Sequence, residues 1–138
     1  MKPEELMIGD WVSYKGEPYQ IRQLGIFGEN RDGEDYPAVC VGKPKGIGLI
    51  IERNKIEPIP LTDEILVKNG FVKQAYDGWL ISENYGRRFI SYRTDYFDGL
   101  LDIRYAEEPF CKLSIKIKHV HELQHALRLC GIDKEITI

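Results

Sequence analysis

Long apolar runs are missing from this chain: nothing in its 138 residues approaches the ~20 consecutive apolar residues of a membrane-spanning helix. No contact with a membrane is therefore expected. The start, Met-Lys-Pro-Glu-Glu, also lacks the apolar stretch of a secretory signal, which points to a cytoplasmic location. Cysteine is scarce. Cys40, Cys111 and Cys130 are odd in number, far apart and never in a C-x-x-C pair, which excludes a disulfide framework and the usual zinc ribbons. Each stands in an apolar context, so the expectation is three buried free thiols in a reducing compartment. An excess of positive charge is missing too. With 19 Lys and Arg against 22 Asp and Glu, the net charge of −3 gives no overall field that would gather nucleic acid or an anionic surface.

Catalytic signatures are equally thin. Ser13, Ser82, Ser91 and Ser114 all fall in expected strands and none lies in G-x-S-x-G. No pair of acids has the spacing of a glycosidase or a nuclease metal site, and Glu107-Glu108-Pro109 reads as a loop. Gly42-Lys43-Pro44-Lys45-Gly46-Ile47-Gly48 has the glycines and lysines of a phosphate loop but not its order, and no helix follows it; a two-lysine turn is the better reading.

What is present is an ordinary globular composition, 43% hydrophobic and 30% charged, so a folded core is expected. Trp11-Val12-Ser13-Tyr14 and residues 19–24 are β-rich runs joined by Lys15-Gly16-Glu17-Pro18, which reads as a hairpin. Residues 29–37 are polar and read as an exposed loop, and residues 38–41 and 48–52 as two further strands. Ile56-Glu57-Pro58-Ile59-Pro60 is stiff extended chain, because each proline fixes its own φ and disfavours helix just before it. Thr62 then caps a short helix that Asn69-Gly70 stops.

From residue 71 to 117 the pattern is a second antiparallel sheet. Its strands read as 71–76, 79–82, 88–93, 101–105 and 110–118, with hairpin signals at Asp77-Gly78 and Asn84-Tyr85-Gly86. In the last of these strands Cys111, Leu113, Ile115 and Ile117 alternate with Lys112, Ser114, Lys116 and Lys118, so one face is covered and one is wet. Residues 135–138 could add an edge strand.

The best helix begins at Val120. Val120, Leu123, Leu127 and Cys130 fall within a stripe about 80° wide, with Ala126 at its edge, and Gly131 ends it. The same helix carries His121-Glu122-Leu123-Gln124-His125, the H-E-x-x-H pattern in which two His bind zinc and Glu acts as general base. On the helical wheel both imidazoles lie opposite the apolar stripe and are expected to face water or a partner. A catalytic zinc needs a third ligand, yet the extended pattern would require Gly and His where Arg128 and Gly131 stand. The only carboxylates after His125 are Asp133, Glu135 and the chain terminus; His119 or an earlier acid would otherwise have to serve. The expectation is a structural helix without a metal or other cofactor; zinc at His121 and His125 is the alternative. A second alternative lies in residues 85–97, where Arg87, Arg88, Tyr92 and Arg93 combine cations with aromatic faces as single-stranded nucleic-acid sites do. Lys112, Lys116 and Lys118 could extend that patch.

Three blocks carry a resemblance: Leu6-Met7-Ile8-Gly9-Asp10-Trp11-Val12, residues 56–71, and Val120-His121-Glu122-Leu123-Gln124. In this order they resemble an uncharacterised family of small proteins from phages, prophages and mobile elements of gut anaerobic bacteria. Its members typically read V-H-x-L-Q-N at the final helix, often with Gln where this chain has Glu122 and Asn where it has His125. The resemblance implies that the zinc pattern arose by two substitutions; it implies no activity. Separately, the turn into a strand at Ile8-Gly9-Asp10-Trp11-Val12 resembles the opening of SH3-like barrels.

The expected architecture is α+β, with an SH3-like small β-barrel unit over 1–57 and an antiparallel sheet with a short helix and a C-terminal helix over 58–138; the two could be one continuous domain. The expected function is that of a non-enzymatic accessory protein that binds another protein. A nucleic-acid-binding accessory and a zinc-dependent hydrolase are the alternatives.

Overall fold

The structure, a computed structural model, describes residues 5–75, 78–83, 87–94, 98–106 and 111–138, without the side chains of Ser82, Glu83, Cys111 and Lys112. The chain divides into two compact units, Met1–Ile59 and Pro60–Ile138, and each contains one five-stranded sheet whose pairings are all antiparallel.

The first unit runs β1 (Trp11–Tyr14), β2 (Glu17–Glu29), β3 (Asp35–Gly42), β4 (Leu49–Glu52), a 3-10 turn (Arg53–Lys55) and β5 (Glu57–Pro58), with sheet order β4-β3-β2-β1-β5. The sheet does not close into the expected barrel. Val12, Ile21, Val39, Val41 and Ile51 point to one side, where they form a core with Leu6 and Ile56. Ahead of β1, Asp10 is fully buried. Its carboxylate accepts the Met7 N–H at 2.7 Å, while Gly9 donates to Ile21 O at 2.7 Å and Ile21 to Asp10 O at 2.9 Å. Gly9 needs its φ of +89° for that turn, which explains the Gly-Asp order in the sequence.

β2 is much longer than its 19–24 signal. It continues through Gly25 and Gly28, residues that normally weaken a strand. Its pairing with β3 shifts between Ile21 and Gln23 and again between Gln23 and Ile26; these irregularities bend the strand, and Gly25 sits in the second with φ +68°. The expected 29–37 loop is correspondingly short. Asp35, Tyr36 and Pro37 belong to β3, and Pro37 is tolerated because β4 pairs only from Ala38 onward, so the proline stands beyond the end of β4. The Gly42–Gly48 loop wraps a cation: Arg22 donates to Gly46 O at 2.9 Å and to Lys43 O. Carbonyls converge there rather than N–H groups, the opposite polarity to a phosphate loop.

The second unit runs α1 (Asp63–Lys68), β6 (Val72–Lys73), β7 (Trp79–Glu83), β8 (Arg88–Arg93), β9 (Leu100–Tyr105), β10 (Cys111–Lys116) and α2 (Val120–Leu129), with sheet order β10-β9-β8-β7-β6. Thr62 Oγ1 accepts the Ile65 N–H at 3.4 Å as the cap of α1, and Gly70 ends it at φ +85°. Asn69 does more than stop the helix. Its amide donates to Ile65 O and Thr137 O, both at 2.7 Å, and its Oδ1 accepts the Thr137 N–H at 2.8 Å. Residues 135–138 thus form no strand; a carboxamide holds them instead, with Ile136 buried.

Strand alternation puts Ile90, Tyr92, Leu101 and Ile103 on the covered face. Tyr105, also on that face, donates from its hydroxyl to Cys130 O at 3.0 Å, and Tyr92 to Ile117 O at 3.1 Å, which ties the sheet to both ends of α2. The alternation expected along β10 fails in part. A bulge lies between Cys111 and Leu113, and Ile115 is 42% exposed because β10 is the sheet edge. Helix α2 ends as expected: Gly131 takes φ +66° and Ile132 donates to Leu127 O at 2.9 Å over a buried side chain. The thiols depart from expectation, since Cys40 and Cys130 are only half-buried.

Candidate functional site

The H-E-x-x-H segment lies on the first two turns of α2, and its imidazoles do not both face water. His121 is 3% exposed and His125 half-buried. The wheel assumed that cover comes from one side only. In fact Val120, His121, Leu123, Gln124, Ala126 and Leu127 are all buried, an arc of roughly 220° on an ideal helix. The additional cover sits at the helix start. There Leu61 donates to Lys118 O at 2.9 Å, Pro60 bridges to His119, and the His119 ring stacks on His121 with centroids 5.7 Å apart. The rings of His121 and His125 meet edge to face, also at 5.7 Å.

Glu122 shows what the motif does here. Its Oε2 accepts the backbone N–H of Lys118 at 2.7 Å and of His119 at 2.9 Å, and stands 3.3 Å from His119 Nδ1. That is half of a capping box, in which an acid at the third helical position satisfies N–H groups the helix leaves unbonded. Burial raises the Glu122 carboxyl, but those two donors and the neighbouring His119 and His121 outweigh it and hold the group below its ordinary value. A general base needs the reverse, a carboxylate raised towards neutrality and turned to a metal-bound water. Among the described residues no three His, Cys, Asp or Glu side chains converge closely enough to hold a metal ion. As the structure places it, Glu122 serves the helix start rather than a metal-bound water.

The basic and aromatic candidates are separated by their own strand. Tyr92 is 5% exposed, on the covered face, with burial chiefly raising its hydroxyl; Arg88 and Tyr92 alternate to one side of β8 and Arg93 to the other. Tyr92 cannot stack a base from inside the core. Arg93 is held at 2.6 Å by Asp102, whose carboxylate also accepts Ser114 Oγ at 2.7 Å. Arg87 is exposed and Arg88 half-buried, so the four do not form one surface. Lys116 and Lys118 are exposed, Lys118 at 3.5 Å from Asp98; the side chain of Lys112, and Tyr85, Gly86 and residues 95–97, lie outside the described residues.

A different concavity does form, in the first unit. A cleft of about 480 Å³ is bounded by Tyr14 and Tyr36, by Ile50 and Ile51 of β4, by Glu52 and Lys55 at the 3-10 turn, and by residues 29–31 of the β2–β3 hairpin. Its walls are fixed. Tyr36 pairs across the sheet with Gly28, and its ring occupies the place a Gly28 Cβ would take. The hairpin tip is set by Asn30, whose Oδ1 accepts the N–H groups of Asp32 and Glu34, both at 2.9 Å. Lys55 pairs with Glu52 at 2.8 Å, and Asn54 donates to the same carboxylate. The volume is in the range of small-ligand and side-chain pockets. Sequence reasoning missed it, because its residues come from four separated stretches and none carries a motif.

The fold is a mixed one, mostly strands in two antiparallel sheets with few helices, and among the described residues no helix is long and apolar enough to cross a membrane. Family models, curated proteins and solved structures offer no match to this chain.

Proposed function

We propose that this is a non-enzymatic accessory protein of a phage or mobile element that acts in the cytoplasm by binding another protein, with an SH3-like first unit as the binding module. The observation that carries the reading is the cleft walled by Tyr14 and Tyr36 beside the edge strand β4. Aromatic rings fixed around a concave site are a common protein-binding surface.

The SH3-like assignment draws support from the order β4-β3-β2-β1-β5, from the 3-10 turn between β4 and β5, and from a long bent β2 that pairs with both β1 and β3. The non-enzymatic assignment draws support from Glu122, whose carboxylate is committed to backbone donors. The mobile-element assignment rests on the resemblance of residues 6–12, 56–71 and 120–124. Gln, which that family often carries in place of Glu122, is the other residue a capping box accepts, so the substitution would preserve the cap.

The test is affinity capture with the full chain from cells that carry its gene, followed by reconstitution of the purified pair. The expected result is a stoichiometric protein complex that survives nuclease treatment and EDTA. Capture that nuclease abolishes, or peptide hydrolysis that EDTA stops and zinc restores, would refute the proposal.

A further inference from the structure

The cleft has a feature that narrows its occupant. Ile50 and Ile51 of β4 both border the cleft; Ile50 is exposed, while the Ile51 side chain is buried in the core of the first unit. The cleft therefore adjoins β4, whose outer side is the edge of the sheet. That edge is open: β4 ends the sheet, and among the described residues it pairs only with β3. Its first three residues are apolar. Leu49-Ile50-Ile51 contains none of the lysines or prolines that commonly blunt edge strands, the only charge on β4 being Glu52 at its end, and Leu49 and Ile50 are 44% and 61% exposed.

We infer that the edge of β4 takes one extended peptide segment of a partner protein, which pairs with it as an additional strand and places an apolar side chain between Tyr14 and Tyr36. This rests on the protein-binding reading above and specifies its site. Two arguments select the occupant. Alternating N–H and C=O groups along an edge are matched by another extended backbone, and strand addition is a recurrent mode of peptide recognition. Charge selects against nucleic acid, because the cleft sets Glu29 and Glu52 against Arg31 and Lys55 and offers a phosphate chain no net attraction. A side chain entering between two tyrosines and Ile50 gains most if it is apolar or aromatic.

The test screens an arrayed library of short acetylated peptides against the full chain, then measures the best binders by fluorescence anisotropy. Ile50→Lys, at an exposed position, should weaken them at least about tenfold, while Val72→Lys, exposed in the second unit, should not. Methylating the peptide backbone at successive residues should abolish binding at alternate positions only. That readout leaves the protein unaltered and so does not depend on any variant folding. Absence of binders, insensitivity to Ile50→Lys, or tolerance of methylation at every position would overturn the inference; so would a dimer of the chain that Ile50→Lys dissociates, which would assign the edge to a second copy. A captured partner that binds wild type and Ile50→Lys equally would defeat this site and leave the protein-binding function standing.

Discussion

At the scale of single residues, two carboxylates hold the second unit together by different means. Asp102 is 3% exposed on β9 and joins Arg93 of β8 to Ser114 of β10, a row across three strands. Burial raises its carboxyl, but the hydrogen bonds from Ser114 and Arg93, with the charges of Arg93 and Arg104, outweigh that and lower it overall. Asp102→Ala should cost about 2 kcal/mol in urea unfolding, below the usual loss for a broken buried pair because Arg93 is a third exposed. A lowered folded pKa means this stability is present above the ordinary carboxylate range and lost as pH falls through the folded value. The gap between variant and wild type should therefore close in acid. Glu122→Ala should cost about 1 kcal/mol as a lost cap, and Glu122→Gln clearly less, since the amide oxygen still accepts. Glu122 has the same sign of shift, so its contribution too should fade in acid and that of the Gln variant should not. A Gln variant as unstable as Ala would contradict the capping role.

At the scale of elements, legibility follows how local the cause is. The cap at Thr62, the stop at Asn69-Gly70 and the Gly131 end of α2 could be read because each is settled within a few residues. The length of β2 could not, because Gly25 and Gly28 argue against a strand and only β3 across from them keeps it extended. His121 was misplaced for a related reason: a wheel reports which residues share a side, not how many sides a neighbour covers. Glycine 99 illustrates a non-local requirement. It takes φ +80°, and a Cβ there would collide with Ile117 O, next to Tyr92 Oη at 3.0 Å. Gly99→Ala should therefore destabilise by more than the ~1 kcal/mol of an ordinary glycine effect, with loss of the Ile117 N–H protection in hydrogen exchange.

At the scale of the whole molecule, the two units differ in what they can bury. Met1–Ile59 is the shorter, and its core is small; the share of surface buried rises with chain length. Native-state hydrogen exchange should find the amides of Val39 and Val41 opening at lower free energy than those of Ile90 and Ile103. A single shared opening energy would mean that the units unfold as one. The two antiparallel sheets follow from patterns visible in the chain, whereas the pairing of β5 with β1 and the cleft depend on tertiary placement and have no sequence signature.

The carboxamide that grips Thr137 also bears on how the protein ages. Asn followed by Gly is the pairing most prone to deamidate, through attack of the glycine nitrogen on the side-chain carbonyl. Here Gly70 N–H is engaged with Val67 O at 3.0 Å, and both ends of the Asn69 amide are occupied. Mass spectrometry after long incubation should find Asn69 intact in buffer and converted to aspartate or isoaspartate in urea. Each molecule would then carry a chemical record of time spent unfolded, and one so marked would refold with its last residues released.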